Sequence, residues 1–291
     1  MCRLLGVVSR EPISLDRAVA EEIEPFTAQS EVHSDGWGVA WFEAADGTGS
    51  PEGSGAAGGS ERPADAEASD ARPMPLPNPR RPQIRRHLDV ARESAAYREA
   101  VRSATGPMML IHLRKASPGL ALRIDNTHPF REGETVFAHN GQFDLPEGLR
   151  EAVLARGGRT PEGTTDSELY FSLIELHARD TDPATAVQRA AAEITALSLE
   201  HGTRVPEALN CLYMTPDLLI AYQQSDPAQA RPHHTADNYS LRYRIDADRV
   251  IVASTGIPQT GYLEVGEGQA LVVHRHDLSV SVRPRIAALV T

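Results

Sequence analysis

The chain has only two cysteines, and one of them, Cys2, directly follows Met1. Removal of Met1 would place a thiol and a free α-amine on one residue. A thiol is a strong nucleophile, and an N-terminal amine can serve as its general base. That amine titrates near ~7.7–8.0 when unperturbed, so it accepts protons close to neutral pH. Cysteine is also a common small buried hydrophobe. Cys2 therefore carries a catalytic reading only if distant segments supply a substrate clamp and donors for a developing oxyanion.

Three distant segments offer such groups. Arg114 closes the apolar run 108–114 and enters the turn Lys115-Ala116-Ser117-Pro118-Gly119. A guanidinium there can clamp a carboxylate bidentately, or it can snorkel to the surface and pair with an acid. Asn140 and Gly141 end the run 135–141. Asn-Gly is a strong turn signal, and the same pair can form an oxyanion hole from the Asn140 amide and the Gly141 N–H. Asp166 follows Thr164-Thr165 and precedes apolar residues at helical spacing. It can help cap that helix, with Thr165 and Glu168 as a capping box, and it can also bind a substrate ammonium.

Composition limits what these groups act on. The formal net charge of −11 argues against a nucleic-acid or anionic-membrane partner, without excluding a small basic pocket. Two cysteines make no disulfide framework, so a reducing compartment is expected. The N-terminal segment lacks a basic n-region and a long apolar h-region, and no stretch reaches the ~20 apolar residues of a membrane span. The expectation is a cytoplasmic protein. No P-loop or C-x-x-C sequence is present, and no G-x-G-x-x-G directly follows an apolar strand run. His274 with His276, and His233 with His234, lack a third ligand and read as surface histidines. No metal and no cofactor are expected.

The elements that must hold these residues follow from periodicity. Residues 3–9 read as a buried strand ended by Ser9-Arg10-Glu11-Pro12, and 14–24 as a helix. His33-Ser34-Asp35-Gly36-Trp37-Gly38 is turn chemistry before a strand at 39–42. Residues 45–82 are rich in Gly, Ala, Ser and Pro without apolar period, and read as a disordered insertion. Arg80, Arg81, Arg85 and Arg86 would form its solvated end, with a helix over 86–103. Strands are expected at 108–114 and 135–141, and helices from Asp166 and over 184–199. Further strands are expected at 209–214, 218–223, 241–245, 250–254 and 270–274. One domain over 2–291 accounts for the whole.

Taken in order, Cys2, Asp35-Gly36-Trp37-Gly38, His112-Leu113-Arg114 with Ala116-Ser117, Thr127-His128-Pro129-Phe130, His139-Asn140-Gly141 and Thr165-Asp166-Ser167-Glu168 resemble the class II glutamine amidotransferase domain, a branch of the N-terminal nucleophile hydrolases. The chain looks most like the stand-alone bacterial branch, which includes the amidohydrolase-like enzyme of ergothioneine biosynthesis. The resemblance implies an α+β fold, a four-layer αββα sandwich of two mainly antiparallel sheets. It implies Cys2 as nucleophile with its α-amine as base, and Asn140 with Gly141 as oxyanion hole. Arg114 and Ser117 would lie at the substrate carboxylate and Asp166 at its ammonium. Pro118 stands where several relatives carry His, which removes one polar contact. His128 is expected to be structural. The implied substrate is a small glutamine-like molecule. No residues are left over for a synthase, so the chain would hydrolyse a γ-glutamyl amide itself or feed ammonia to a separate synthase subunit. A third alternative is a binding module that has lost activity.

Overall fold

The run Arg3-Leu4-Leu5-Gly6-Val7-Val8 is apolar on both sides of its pleat, and such a strand needs cover on both faces. The computed structural model, which describes residues 2–44, 80–230 and 239–286, supplies that cover. Its strands are β1 (Arg3–Ser14), β2 (Trp37–Phe42), β3 (Gln83–His87), β4 (Thr105–Leu113), β5 (Phe130–Glu132), β6 (Thr135–Gln142), β7 (Ala208–Met214), β8 (Leu218–Tyr222), β9 (Leu241–Ile245), β10 (Arg249–Ser254), β11 (Leu263–Glu264), β12 (Ala270–His274) and β13 (Val280–Arg283). Its α-helices are α1 (Leu15–Ala18), α2 (Ile23–Ala28), α3 (Ala95–Ser103), α4 (Glu147–Ala155), α5 (Asp166–His177) and α6 (Pro183–Glu200).

The strands form two antiparallel sheets, in the orders β11-β9-β10-β1-β4-β2-β3 and β13-β12-β8-β7-β6-β5. Alternate residues of each central strand feed different cores. Leu4, Val8, Leu110, Val136, Ala138 and Leu212 fill the space between the sheets. Leu5, Val7, Met109 and Ile111 turn the other way, against Leu15, Phe26 and Tyr97 of α1, α2 and α3. On the far side Phe137, Cys211 and Tyr213 meet Leu173, Val187 and Ile194 of α5 and α6. This is the expected α+β sandwich of four layers.

Several boundaries depart from expectation. β1 continues to Ser14, because a register shift after Val8 lets Ile13 pair again with Gly106. The helix expected over 14–24 is broken into α1 and α2. The break turns Glu22 inward, where it accepts from the Tyr262 hydroxyl at 2.9 Å and pairs with Arg244 at 3.1 Å. The helix expected over 86–103 begins only at Ala95, capped by Ser94, whose hydroxyl accepts from the Tyr97 N–H at 3.1 Å. Before it, Arg85 and Arg86 lie on β3, an edge strand paired with β2, and not on a linker end. The expected insertion over 45–82 falls outside the described residues except for 80–82, as does the His233-His234 pair. No described helix is long and apolar enough to cross a membrane.

Candidate active site

The two-residue period that sorts the core also places the chemistry. Leu4 and Val8 of β1 face the second sheet, so Cys2 does too. Met108 and Leu110 of β4 set the same direction for His112 and Arg114, and Val136 and Ala138 of β6 set it for Asn140. Pairing of Arg3 with Leu113 brings Cys2 alongside the end of β4. The two sheets therefore meet at Cys2 and Asn140.

Each polar atom of Cys2 has a partner. Its backbone N donates to Asn140 Oδ1 at 2.9 Å, and its carbonyl accepts from Arg3 at 3.2 Å. Its Sγ lies 3.4 Å from the Lys115 N–H. Because Asn140 Oδ1 faces a donor, the Asn140 NH2 points elsewhere. Nδ2 is buried and has no hydrogen-bond partner among the described residues, on a side chain with no solvent exposure. A buried donor left unpaired costs about 1–3 kcal/mol, which a transient oxyanion would recover. Gly141 leaves no room for a side chain, since a Cβ would lie about 2.0 Å from the Ala208 carbonyl oxygen.

Arg114 is 2% exposed. Burial lowers the pKa of its guanidinium, opposed by the nearby Cys2 thiol and Asp35. Its side chain donates only to carbonyls, Asp35 O at 3.3 Å and Ala121 O at 3.4 Å, and it forms no carboxylate pair among the described residues. Asp35 does more than make a turn. Its carboxylate accepts the Ala116 N–H at 2.8 Å, and its backbone bonds the Arg114 carbonyl, so it shapes the segment after β4. Gly36 and Gly38 permit this route. A Cβ on Gly36 would lie 2.6 Å from His87 O, and one on Gly38 would lie 2.1 Å from His128 O.

Asp166 opens α5, whose cap is the Thr165 hydroxyl accepting from Glu168 N at 3.3 Å. The reciprocal half of a capping box is absent among the described residues. The Glu168 carboxylate accepts instead from Glu162 N, Gly163 N and Arg159. Asp166 Oδ2 accepts from Phe143 N at 3.0 Å, which ties α5 to the end of β6, and Ser117 donates to Gln142 at 2.9 Å. Three buried histidines pack behind these groups. His139 Nε2 faces the Ala208 carbonyl at 3.2 Å and so carries a proton, while Nδ1 lies 2.9 Å from the Ser167 hydroxyl, which also reaches Asp166 Oδ1 at 3.2 Å. The His112 and His128 rings lie 4.4 Å apart at a tilt of 37°, and neither ring nitrogen of His128 has a hydrogen-bond partner among the described residues.

The structure thus brings Cys2, Arg114, Ser117, Asn140, Gly141 and Asp166 to one end of the sandwich. Asp35, Lys115, Gln142 and His139 join them, and sequence reasoning had not placed any of those four among the candidate site residues. Such an arrangement offers a held thiol, an unpaired cation, an unused amide donor and a carboxylate. Those are the parts needed to open an amide of a zwitterionic amino acid.

Comparisons with known proteins bear on the same region. A family profile for class-II glutamine amidotransferases matches residues 90–249, more than half of the chain. The fold is similar to a glutamine aminotransferase class-II domain protein from Silicibacter pomeroyi (22% identity, TM-score 0.62, 98% of this chain and 100% of that one). It is also similar to the glutamine phosphoribosylpyrophosphate amidotransferase of B. subtilis complexed with ADP and GMP (16%, TM-score 0.58, 97% of this chain and 48% of that one). A third similar structure is the allosteric regulatory enzyme of purine biosynthesis (17%, TM-score 0.60, 97% and 48%). The chain spans about half the length of those last two. At these identities the likeness is one of fold. No curated protein sequence matches the chain.

Proposed function

The chain belongs to the class II glutamine amidotransferases, and from that premise we propose that it cleaves the side-chain amide of glutamine or a γ-glutamyl compound through a thioester on Cys2. The observation that carries this reading is the 2.9 Å contact of Cys2 N with Asn140 Oδ1, beside an Asn140 Nδ2 that is buried and unpartnered. After removal of Met1, the Cys2 amine takes the thiol proton and Sγ attacks the amide carbon. The oxyanion is received by Asn140 Nδ2 and the Gly141 N–H. The proton held by the amine passes to the leaving nitrogen, the C–N bond breaks, and ammonia or an amine departs. Water then adds to the thioester through the same amine and releases the γ-carboxylate and the thiol. Arg114, with Ser117 nearby, binds the α-carboxylate, and Asp166 binds the α-ammonium. The substrate is defined here by class, since the proteins named above do not single out the ergothioneine branch.

Intact-protein mass spectrometry with 6-diazo-5-oxo-norleucine tests the proposal. Expected are loss of Met1 and a single adduct on Cys2. Cys211 should stay unmodified, since it is fully buried and burial pushes its thiol up to about 12. A processed protein that takes no adduct, or takes it elsewhere, overturns the assignment.

A second reading, a glutaminase subunit serving a separate synthase, is favoured by the rim. Val32, Leu122 and Ile124 are exposed hydrophobics in the two segments whose carbonyls hold Arg114. Stoichiometric labelling with almost no turnover on free glutamine or γ-glutamyl amides would select it.

A further inference from the structure

Away from Cys2, the two sheets also meet at their edge strands β3 and β5. Here Ile84, Arg86, Phe130, Arg131, Arg159 and Glu162 line a polar cavity of about 210 Å3. Three guanidinium groups converging on one cavity are unexpected in a chain of net charge −11. Their partners do not explain them. Arg86 donates to the Thr127 carbonyl at 3.1 Å and Arg131 to the Pro82 carbonyl at 3.2 Å. Neither pairs with a carboxylate among the described residues. Arg159 bonds Glu168 at 2.9 Å, yet its Nε is buried without a hydrogen bond, with Glu132 3.8 Å away. Glu168 is itself shared with two backbone N–H groups. Glu162 is the one acid in the wall.

We propose that this cavity is a binding site for a phosphate-class oxyanion, held by Arg86, Arg131 and Arg159. A tetrahedral dianion offers acceptors in several directions and suits guanidinium groups arriving from three different elements. Since a water takes roughly 30 Å3 in the liquid, the space fits one such group with part of its hydration. Burial lowers the pKa of both Arg86 and Arg131, and a neighbouring cation adds to that at each, Arg131 at Arg86 and Arg81 at Arg131, against the opposing charge of Glu162 at both and of Asp125 and Glu168 at Arg86; a bound anion would act on both. The site also touches the catalytic end indirectly. Arg159 is bonded to Glu168, two residues after Asp166 on α5.

The test is titration of the full chain with inorganic phosphate at constant ionic strength, read by calorimetry and by Tm, with chloride as reference. Saturable binding is expected. Arg131 is exposed, so Arg131→Ala should fold normally and weaken phosphate affinity about tenfold or more, the worth of one charge-assisted hydrogen bond. Arg131→Lys should recover part of it, Glu162→Gln should tighten it, and Arg102→Ala on α3 should leave it unchanged. A phosphate monoester such as glycerol 3-phosphate, run in parallel, separates the sources. Tighter binding of the ester assigns an organic phosphate, and equal or weaker binding assigns the free ion. No saturable binding, or equal affinities in Arg131→Ala, Glu162→Gln and the unaltered chain, overturns the proposal.

Discussion

Asn140 has two polar side-chain atoms, and the described residues engage only one of them. Oδ1 holds the Cys2 nitrogen, while Nδ2 stays buried and free. If Nδ2 is an oxyanion donor, Asn140→Ala should lower kcat by about 10²–10³, equivalent to about 2.7–4 kcal/mol, with little change in KM. Asn140→Asp separates the two duties. It keeps an acceptor for the amine and removes the donor, so it should lose kcat to a similar extent. A rise in KM alone for Asn140→Ala would place the residue in binding instead. The measurement is steady-state release of ammonia from glutamine.

At the scale of elements, the segment after β4 is held by a different stretch of chain. Asp35 anchors Ala116, and Gly38 lets β2 pass against the His128 carbonyl. Gly38→Ala should therefore lower stability by about 1–3 kcal/mol or more, through overpacking against backbone that has no rotamer to yield. Urea denaturation reads it, and an unchanged midpoint would show that the strand can shift freely. These relations also mark what the sequence could reveal. Cys2, Arg114, Asn140 and Asp166 were legible as candidates because each is a polar or nucleophilic residue at the boundary of an apolar run. Asp35 was legible only as a turn former, since its acceptor role toward Ala116 depends on a contact 81 residues away. Ser117 with Gln142 is the same case. The central strands were read well because both faces are apolar. β3 and β5 were missed because each is an edge strand with a single neighbour and polar residues, which weakens the periodic signal. The split of the first helix depends on the inward turn of Glu22, which no local pattern announces.

For the whole molecule, the buried histidines set a pH limit on stability. Burial lowers the pKa of His112 to about 3, and lowers those of His128 and His139 too, with Arg114 and Arg86 adding repulsion at His128. Unfolded histidine takes up a proton near ~6.5, so below that pH the unfolded chain binds more protons than the folded one. Stability should be fully present above about pH 6.5 and fall as pH drops toward 3, by roughly 1.4 kcal/mol per pH unit for each histidine kept neutral. Urea midpoints at pH 7.5, 6 and 5 check this, and a flat series would mean that the trio accepts protons in place. The route of β2 into β3 has a separate implication. Trp41 pairs with Gln83, whereas Trp37 pairs with Leu113 next to Arg114. The chain therefore leaves the sheet at the end remote from Cys2, about 17 Å away at roughly 3.4 Å per residue. Replacing residues 45–79 by a short Gly-Ser link should leave turnover unchanged and Tm nearly so. That gives a practical rule for handling the protein. An affinity tag or surface tether fused ahead of Met1 would cap the amine on which the proposed chemistry depends, whereas the same handle carried between β2 and β3 leaves the nucleophile free, so enzyme immobilised there should keep the turnover that the N-terminal fusion loses.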